Sequence, residues 1–560
     1  MKWSRLVVVL ALSCASGSRV PAARFANTPI VSVVNDRLDV AKPPSWRRFL
    51  PILYFFDGTV QRRLTRALEL PRHQRALGVN AIDEVADSTW FTNRIGVRAL
   101  SPDEIRRGPV TDNPELHRPW TIRGTKVGGT SVGFIIKDAR GVKYMLKFDA
   151  LTDPPELQTA THVAVNRLLW ASGYNVAEDQ IVYFRREDLR IAPDAKIKDH
   201  SGDEVGRFDE RELDRELKLV HVEPDGSYRS MASRWIEGTT LGGHPGEGVR
   251  GDDPNDLIPH ELRRDLRGFY AICAWLDHVD VTEGQFVDAW TTDDADRRRH
   301  YVRHFAIDFG MSLGAMGTIM QDLRRGYTYE IDIVDIVRAI ATGGIPYRRW
   351  EHREAPPIRG VAPLFVASTF DPGNWHPDLP GYTPFLESDR FDKFWGAKIV
   401  SSFTREQIHA AVEAGKFTDA RAVDYITDTL VARQKATEAY WYARVNPLAG
   451  FMMKQDGAER ALCFDDLAIT DGLVAAGTTR YMVTTFDFAA QPLASAVDIT
   501  ADRRGRTCIA GLTWAPGDDR DGYAIIRIAT KRSAFSGETY VHVAREPGGT
   551  ALRVIGLWRP

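Results

Sequence analysis

The chain has 560 residues, 43% hydrophobic and 26% charged, the composition of a globular protein long enough for several domains. Its 73 basic and 75 acidic residues leave a net charge of -2 with no basic stripe, which argues against a dedicated nucleic-acid binder. Four cysteines in so long a chain exclude a disulfide-built scaffold, and with none in a C-x-x-C pair they argue against a zinc site.

At the N-terminus, Lys2 and Arg5 precede an apolar run from Leu6 to Leu12 and small residues ending at Ala22-Ala23. That is the layout of a secretory signal, and the expected signal peptide spans 1–23. Cys14 follows Ala11-Leu12-Ser13 and adds the option of a lipid anchor, although Ala stands where a bacterial lipobox usually carries Leu. The mature chain is therefore expected to be exported, either periplasmic or envelope-associated. No later run reaches the roughly 18 apolar residues of a membrane helix, so no transmembrane span is expected in it.

Residues 24–110 are rich in Arg and Pro, include helical stretches such as TVQRRLTRALEL, and read as an N-terminal extension. From about 120 the pattern becomes strand, turn, strand: Phe134 to Ile136, the turn Asp138 to Gly141, then Tyr144 to Phe148. A helix follows with apolar Val163, Val165, Leu168 and Leu169, stopping at Gly173. After a polar insert at 185–217, RSMASRWIEGTTLGG gives a strand and a Gly-rich connection. HELRRDLRGFYAICAWLDH reads as an amphipathic helix whose Arg263, Arg264 and Arg267 form a solvated face. Thr404 to Gln407 is a capping box opening a helix that ends near Gly415, and a long helix runs from about Asp419 to Arg444. Beyond Pro447 short β-type runs suggest a separate sandwich over 448–560. Cys463 and Cys508, both there, would pair in an oxidising compartment, though two buried thiols are the plainer reading.

Two short motifs carry the chemical signal. HVDVTEGQ at 278–285 holds His278, Asp280 and Gln285 in an H-x-D-x(4)-Q spacing, and IDFG at 307–310 places Asp308 before an aromatic residue and a glycine. Taken with a Gly-rich hairpin, a strand lysine, a helix and a Gly-rich connector in that order, the chain over about 85–447 resembles the protein-kinase-like superfamily. The likeness is nearer to its atypical HipA-type and CotH-type branches, and to a group of bacterial envelope proteins, than to ordinary eukaryotic kinases. It implies an α+β, two-lobed protein-kinase-like fold: a small lobe over 111–242, a mostly helical lobe over 243–447, then the all-β, sandwich-like domain.

The resemblance also assigns roles. Gly128, Gly129 and Gly133 in KVGGTSVG would let backbone N–H groups approach phosphates. Lys147, in the apolar strand YMLKF, would meet a phosphate. Trp235 and Glu237 would lie where adenine is read. Asp308 offers a hard oxygen to Mg²⁺, with the Gln285 amide oxygen in place of the usual Asn and Asp288 as a further oxygen nearby. Asp280 would orient the acceptor hydroxyl or take its proton. The lysine's usual glutamate partner is missing: His162 stands there, so either Glu156 substitutes or the lysine is held differently. The implied activity is ATP- and Mg²⁺-dependent phosphoryl transfer to a protein or small-molecule hydroxyl. A pseudokinase serving as scaffold or binding protein is the alternative, and AMP transfer a more distant one.

Overall fold

The computed structural model describes residues 20–68, 74–127, 131–199, 202–316, 323–345, 348–456, 459–514, 520–533 and 535–560. Most of the expected signal peptide, including Cys14, and the glycines Gly128 and Gly129 lie outside the described residues.

Alternating burial builds the first sheet. In β1 (Trp120–Thr125) Trp120 and Ile122 are fully buried while Arg123 faces outward. β2 (Gly133–Lys137) and β3 (Lys143–Lys147) form the expected hairpin, with Phe134 opposite Leu146 and Gly133 opposite Lys147. With β4 (Asp179–Phe184), β5 (Leu189–Lys198), β6 (Glu204–Arg207) and β7 (Tyr228–Arg234) they make a seven-stranded sheet of order β4-β7-β3-β2-β1-β5-β6. The polar insert is built into this sheet: β5 lies parallel to β1 and buries Leu189, Ala192 and Ala195 in the same core.

The helix Leu157–Ser172 connects β3 to β4, with fourteen of its sixteen residues buried. Gly173 ends it at φ 123°, where a Cβ would meet the Phe91 ring at 2.3 Å, so a side chain is excluded twice over. After β8 (Thr239–Thr240) comes the helix Arg264–Leu276, all thirteen residues of which are buried. The expected solvated arginine face is therefore corrected. Arg264 meets Asp83 at 3.0 Å and Asp392 at 2.7 Å, Arg267 meets Asp392 at 3.5 Å, and Arg263 pairs with Asp265 at 2.7 Å. Asp83 and Asp392 from distant segments, and Asp265 on the same helix, make burial of the three cations tolerable. β9 (Phe286–Thr292) and β10 (His300–Ala306) form a hairpin that delivers Asp308. The helices Arg390–Ser401, Arg405–Glu413 and Ala420–Tyr442 complete this region, and the second carries the Thr404–Gln407 capping box.

The C-terminal strands are β11 (Leu448–Asp456), β12 (Glu459–Asp466), β13 (Arg480–Phe486), β14 (Val497–Thr500), β15 (Arg506–Ala510), β16 (Ala524–Arg532), β17 (Phe535–Arg545) and β18 (Leu552–Trp558). They form sheets of order β11-β12-β15 and β14-β13-β16-β17-β18. Leu462 and Ile509 of one sheet share a core with Val483, Ile526 and Val541 of the other, which is sandwich packing. Cys463 stands directly opposite Cys508 across β12 and β15, and the two form a disulfide. This corrects the two-thiol reading; antiparallel register brings together residues 45 apart in sequence. Phe25 packs its ring on Gly556 and His542, tying the N-terminal segment to this domain. No helix among the described residues is long and apolar enough to cross a membrane.

Candidate functional site

Lys147 ends β3 and Asp308 follows β10, and the structure brings them together: the lysine ammonium donates to Asp308 Oδ1. The Lys147 side chain is 10% exposed and the Asp308 side chain 45%, so the pair opens to solvent on the carboxylate side. Asp308 sits at φ 60°, a left-handed conformation that costs an aspartate less than most residues and that accumulates at functional sites. Burial works to raise its carboxyl; the charges of Lys147, His162 and Lys126 outweigh that and hold it well below the usual carboxylate range. Lys126 faces the same place, and burial followed by the charge of Lys147 lowers its ammonium to about 8. The two lysines and Asp308 thus act on one another at this point of the structure.

The helix position expected to hold a glutamate behaves differently. His162 Nε2 lies 2.9 Å from Asp179 Oδ2, which fixes the ring, and Nδ1 lies 3.9 Å from Asp308 Oδ1. Asn166 donates to the same Asp179 oxygen at 2.9 Å. Glu156 does not substitute as Lys147's partner. It begins the helix at φ 71° and is held by Arg359 at 2.8 Å and by the Thr418 N–H at 2.9 Å.

In the 278–285 loop, buried His278 is set by Ser312, whose hydroxyl lies 2.9 Å from Nδ1, and burial lowers its imidazole to about 4. A neutral His278 is thus a structural support that packs on Phe309 at 5.7 Å. Asp280 Oδ2 accepts from Gln285 Nε2 at 2.8 Å, while Gln285 Oε1 accepts from the Thr282 hydroxyl. Burial, then the charges of Asp308 and Asp378, push the Asp280 carboxyl up to about 7. Asp280 and Asp308 therefore share one electrostatic neighbourhood, whereas the Gln285 amide is spent on its own loop.

Gly133 needs no phosphate to explain it: a Cβ there would lie 2.5 Å from the Leu146 carbonyl across the hairpin. Trp235 and Glu237 stand apart from the lysine pair. The Lys143 ammonium lies 3.1 Å from the Trp235 ring centroid, and Glu237 meets Arg234 at 3.2 Å. Both line a cavity of about 680 Å³ whose walls include none of Lys126, Lys147 or Asp308. Asp288 is also elsewhere. It is fully buried on β9, opposite His304 on β10, and bonds Arg250 at 2.9 Å and His304 at 2.7 Å. Ligand atoms of His244, Asp288 and His304 lie within 4.8 Å of one another, yet the Arg250 guanidinium already occupies one Asp288 oxygen. Asp288 is thereby corrected from a neighbour of the Asp308 metal position to the centre of a closed ion-pair network.

Sequence reasoning did not assign Lys126 a charge role, nor find Asp179, Asp378 or Ser312. Only Lys126 carried a signal, as the first residue of the glycine loop. The donor set fits a nucleotide and a divalent ion. Lys126 and Lys147 would meet phosphate oxygens, and Asp308, with Asp280 behind it, offers hard carboxylate oxygens.

No family model matches the sequence, and no curated protein does. Among solved structures, the Golgi casein kinase with Mn and ADP bound matches at 8% identity and a TM-score of 0.30, covering 62% of this chain and 83% of that one. A second structure of the Golgi casein kinase matches at 8% identity and a TM-score of 0.27, covering 74% of this chain and 96% of that one. Scores this low carry no assignment, so the site must be judged on its own residues.

Proposed function

We propose that this chain is an atypical kinase-like phosphotransferase that passes the γ-phosphoryl group of ATP to a hydroxyl of a protein or small molecule. The observation that carries the reading is the Lys147–Asp308 pair, opening to solvent beside Asp280. Lys147 and Lys126 hold phosphate oxygens. A divalent ion such as Mg²⁺ or Mn²⁺, when bound, would neutralise charge on the transferring group. Asp308 and Gln285 would hold that ion, the second only after its amide leaves Thr282. Asp280 orients the acceptor hydroxyl, and a carboxyl near 7 is poised to take its proton at neutral pH. Trp235 and Glu237 would contribute to the adenine end only if the nucleotide reaches the lobe connection.

A second reading has an observation of its own. Lys147 is tied directly to Asp308 and the Gln285 oxygen is turned to Thr282, an arrangement suited to binding without transfer. Calorimetric titration with ATP, with and without Mg²⁺ or Mn²⁺, beside Lys147→Ala and Asp308→Ala, tests the shared part. Metal-dependent binding lost in both variants is the expected result; binding that survives in both would remove the pair from the site. Label transfer from ATP onto an acceptor then separates the two readings. We also place the chain in an exported, envelope-associated setting; the Cys463–Cys508 disulfide supports an oxidising compartment.

A further inference from the structure

The cavity walled by the Trp235–Gly238 connection has charges that the phosphoryl-transfer reading does not use. Four arginines line it (Arg94, Arg234, Arg297 and Arg303) against Glu178, Glu237 and Asp294. Arg234 takes both glutamates, Glu178 at 2.8 Å and Glu237 at 3.2 Å, and Glu178 is further bonded by the Thr111 N–H and hydroxyl. Asp294 is the acid on this wall that Arg234 does not take, and its charge acts on Arg303.

Among the described residues, two of the remaining three arginines hydrogen-bond only to neutral groups. Arg94 donates to the Trp170 and Tyr174 carbonyls at 2.7 and 3.3 Å, and Arg303 donates to Asn175 Oδ1 at 2.8 Å. Burial lowers the Arg94 guanidinium to about 10, and the charge of Arg303 adds to the effect. Burial likewise lowers Arg303. Half-buried guanidiniums that repel one another and donate to no carboxylate are stabilised by an incoming oxyanion, which forms charge-assisted hydrogen bonds with them. Trp170, Tyr301 and Phe305 supply apolar wall, and about 680 Å³ is room for a small molecule.

We propose that this cavity binds a small ligand bearing an oxyanion, held by Arg94, Arg297 and Arg303. The site is separate from the Lys147–Asp308 pair and touches the segment that joins β7 to β8. A ligand there is placed to act on the connection between the sheet and the helical region, as an effector and not as a substrate.

The test uses the full chain and two probes, inorganic phosphate and citrate, titrated calorimetrically at constant ionic strength. Binding of at least one probe is expected, at least tenfold weaker in Arg303→Ala and in Arg297→Ala, and this arginine-dependent binding is unchanged in Lys147→Ala. Preference for phosphate assigns a phosphate group, and preference for citrate a carboxylate. Arg303 also braces Asn175, so Arg303→Ala risks misfolding; Arg297 is exposed and its variant keeps the test decisive. Absence of binding by both probes overturns the proposal, as does native affinity in Arg297→Ala. Loss of phosphate binding in Lys147→Ala with no change in the arginine variants also overturns it, by moving the anion to the nucleotide site. ATP affinity is measured on the same variants, so a failed transfer reading leaves this result standing.

Discussion

Asp288 lies on β9 and Asp308 just past the end of β10, its hairpin partner; each meets a cation and a histidine, but they end in opposite circumstances. Asp288 is fully buried, bonded by Arg250 and His304, with His244 at 3.5 Å and the Trp90 ring stacked on His304 at 3.5 Å. Burial would raise its carboxyl, but the two histidines hold it far below the usual range. Asp308 has one cation on one oxygen and nearly half its side chain in solvent. Both sets have the chemistry of a metal site, yet only the open one has room for an incoming ligand. The difference teaches that a carboxylate ready for a ligand is recognised by its unfilled side, since charge and neighbours alone describe both.

The largest effect that would sharpen this contrast is on stability. Asp288→Ala leaves Arg250 and His304 buried without their anion, and should cost about 3–5 kcal/mol in urea unfolding. Nucleotide affinity per folded molecule should stay unchanged; a selective loss of that affinity would break the comparison. Asp308→Ala is the reciprocal variant. It should weaken metal-dependent ATP binding about a hundredfold, or about 2.7 kcal/mol, with a smaller change in unfolding free energy. An unfolding cost as large as that of Asp288→Ala would make Asp308 a structural residue too.

A third prediction concerns pH. The Asp280 carboxyl is raised to about 7 in the folded chain, so between its ordinary range and that value the folded state binds more protons than the unfolded. Its contribution to stability is therefore complete at low pH and falls as pH rises through about 7, levelling off above. Asp280→Asn cannot ionise, and should be more stable than the native chain at pH 8 by about 1–2 kcal/mol, with the gap closing toward pH 4. Equal stability at both pH values would show that Asp280 ionises in an ordinary, hydrated setting. Phosphoryl transfer, if Asp280 receives the hydroxyl proton, should rise across the same window and be lost in the variant.

Much of the fold was legible because its signals are local. The β2–β3 hairpin, the helix stopped by Gly173, the Thr404–Gln407 capping box and the short strands after Pro447 each follow from turn residues, caps or alternation. Asp280 and Asp308 were legible as a motif spacing and Lys147 as a cation in an apolar strand; in the structure their charges act on one another. What could not be read was partnership across long separations. Arg264 and Arg267 look solvated until Asp83 and Asp392 arrive from elsewhere in the chain. Asp288 looks like a neighbour of Gln285 until strand direction turns it toward His304. Cys463 meets Cys508 only through the register of β12 and β15. His162 could be seen to replace a glutamate, but its anchoring by Asp179 on β4 could not.

The smallest expected effect probes the one position where the loop departs most from the pattern it resembles. Gln285 bridges Asp280 and Thr282, and that bridge uses the amide oxygen that a metal would require. Gln285→Asn shortens the side chain by one methylene, which breaks the reach to Asp280. The expected loss of stability is about 1 kcal/mol, the net worth of one side-chain hydrogen bond. If the Asp308 side is a metal position limited by this bridge, the shorter amide should bind ATP more tightly in the presence of Mn²⁺ or Mg²⁺ and unchanged without either. Calorimetry with and without the ion reads this directly. A gain restricted to the metal-containing titration would show that the open carboxylate site is complete but for one amide. An equal change in both titrations would mean that Gln285 serves only to hold Asp280, and the binding-without-transfer reading would then lead.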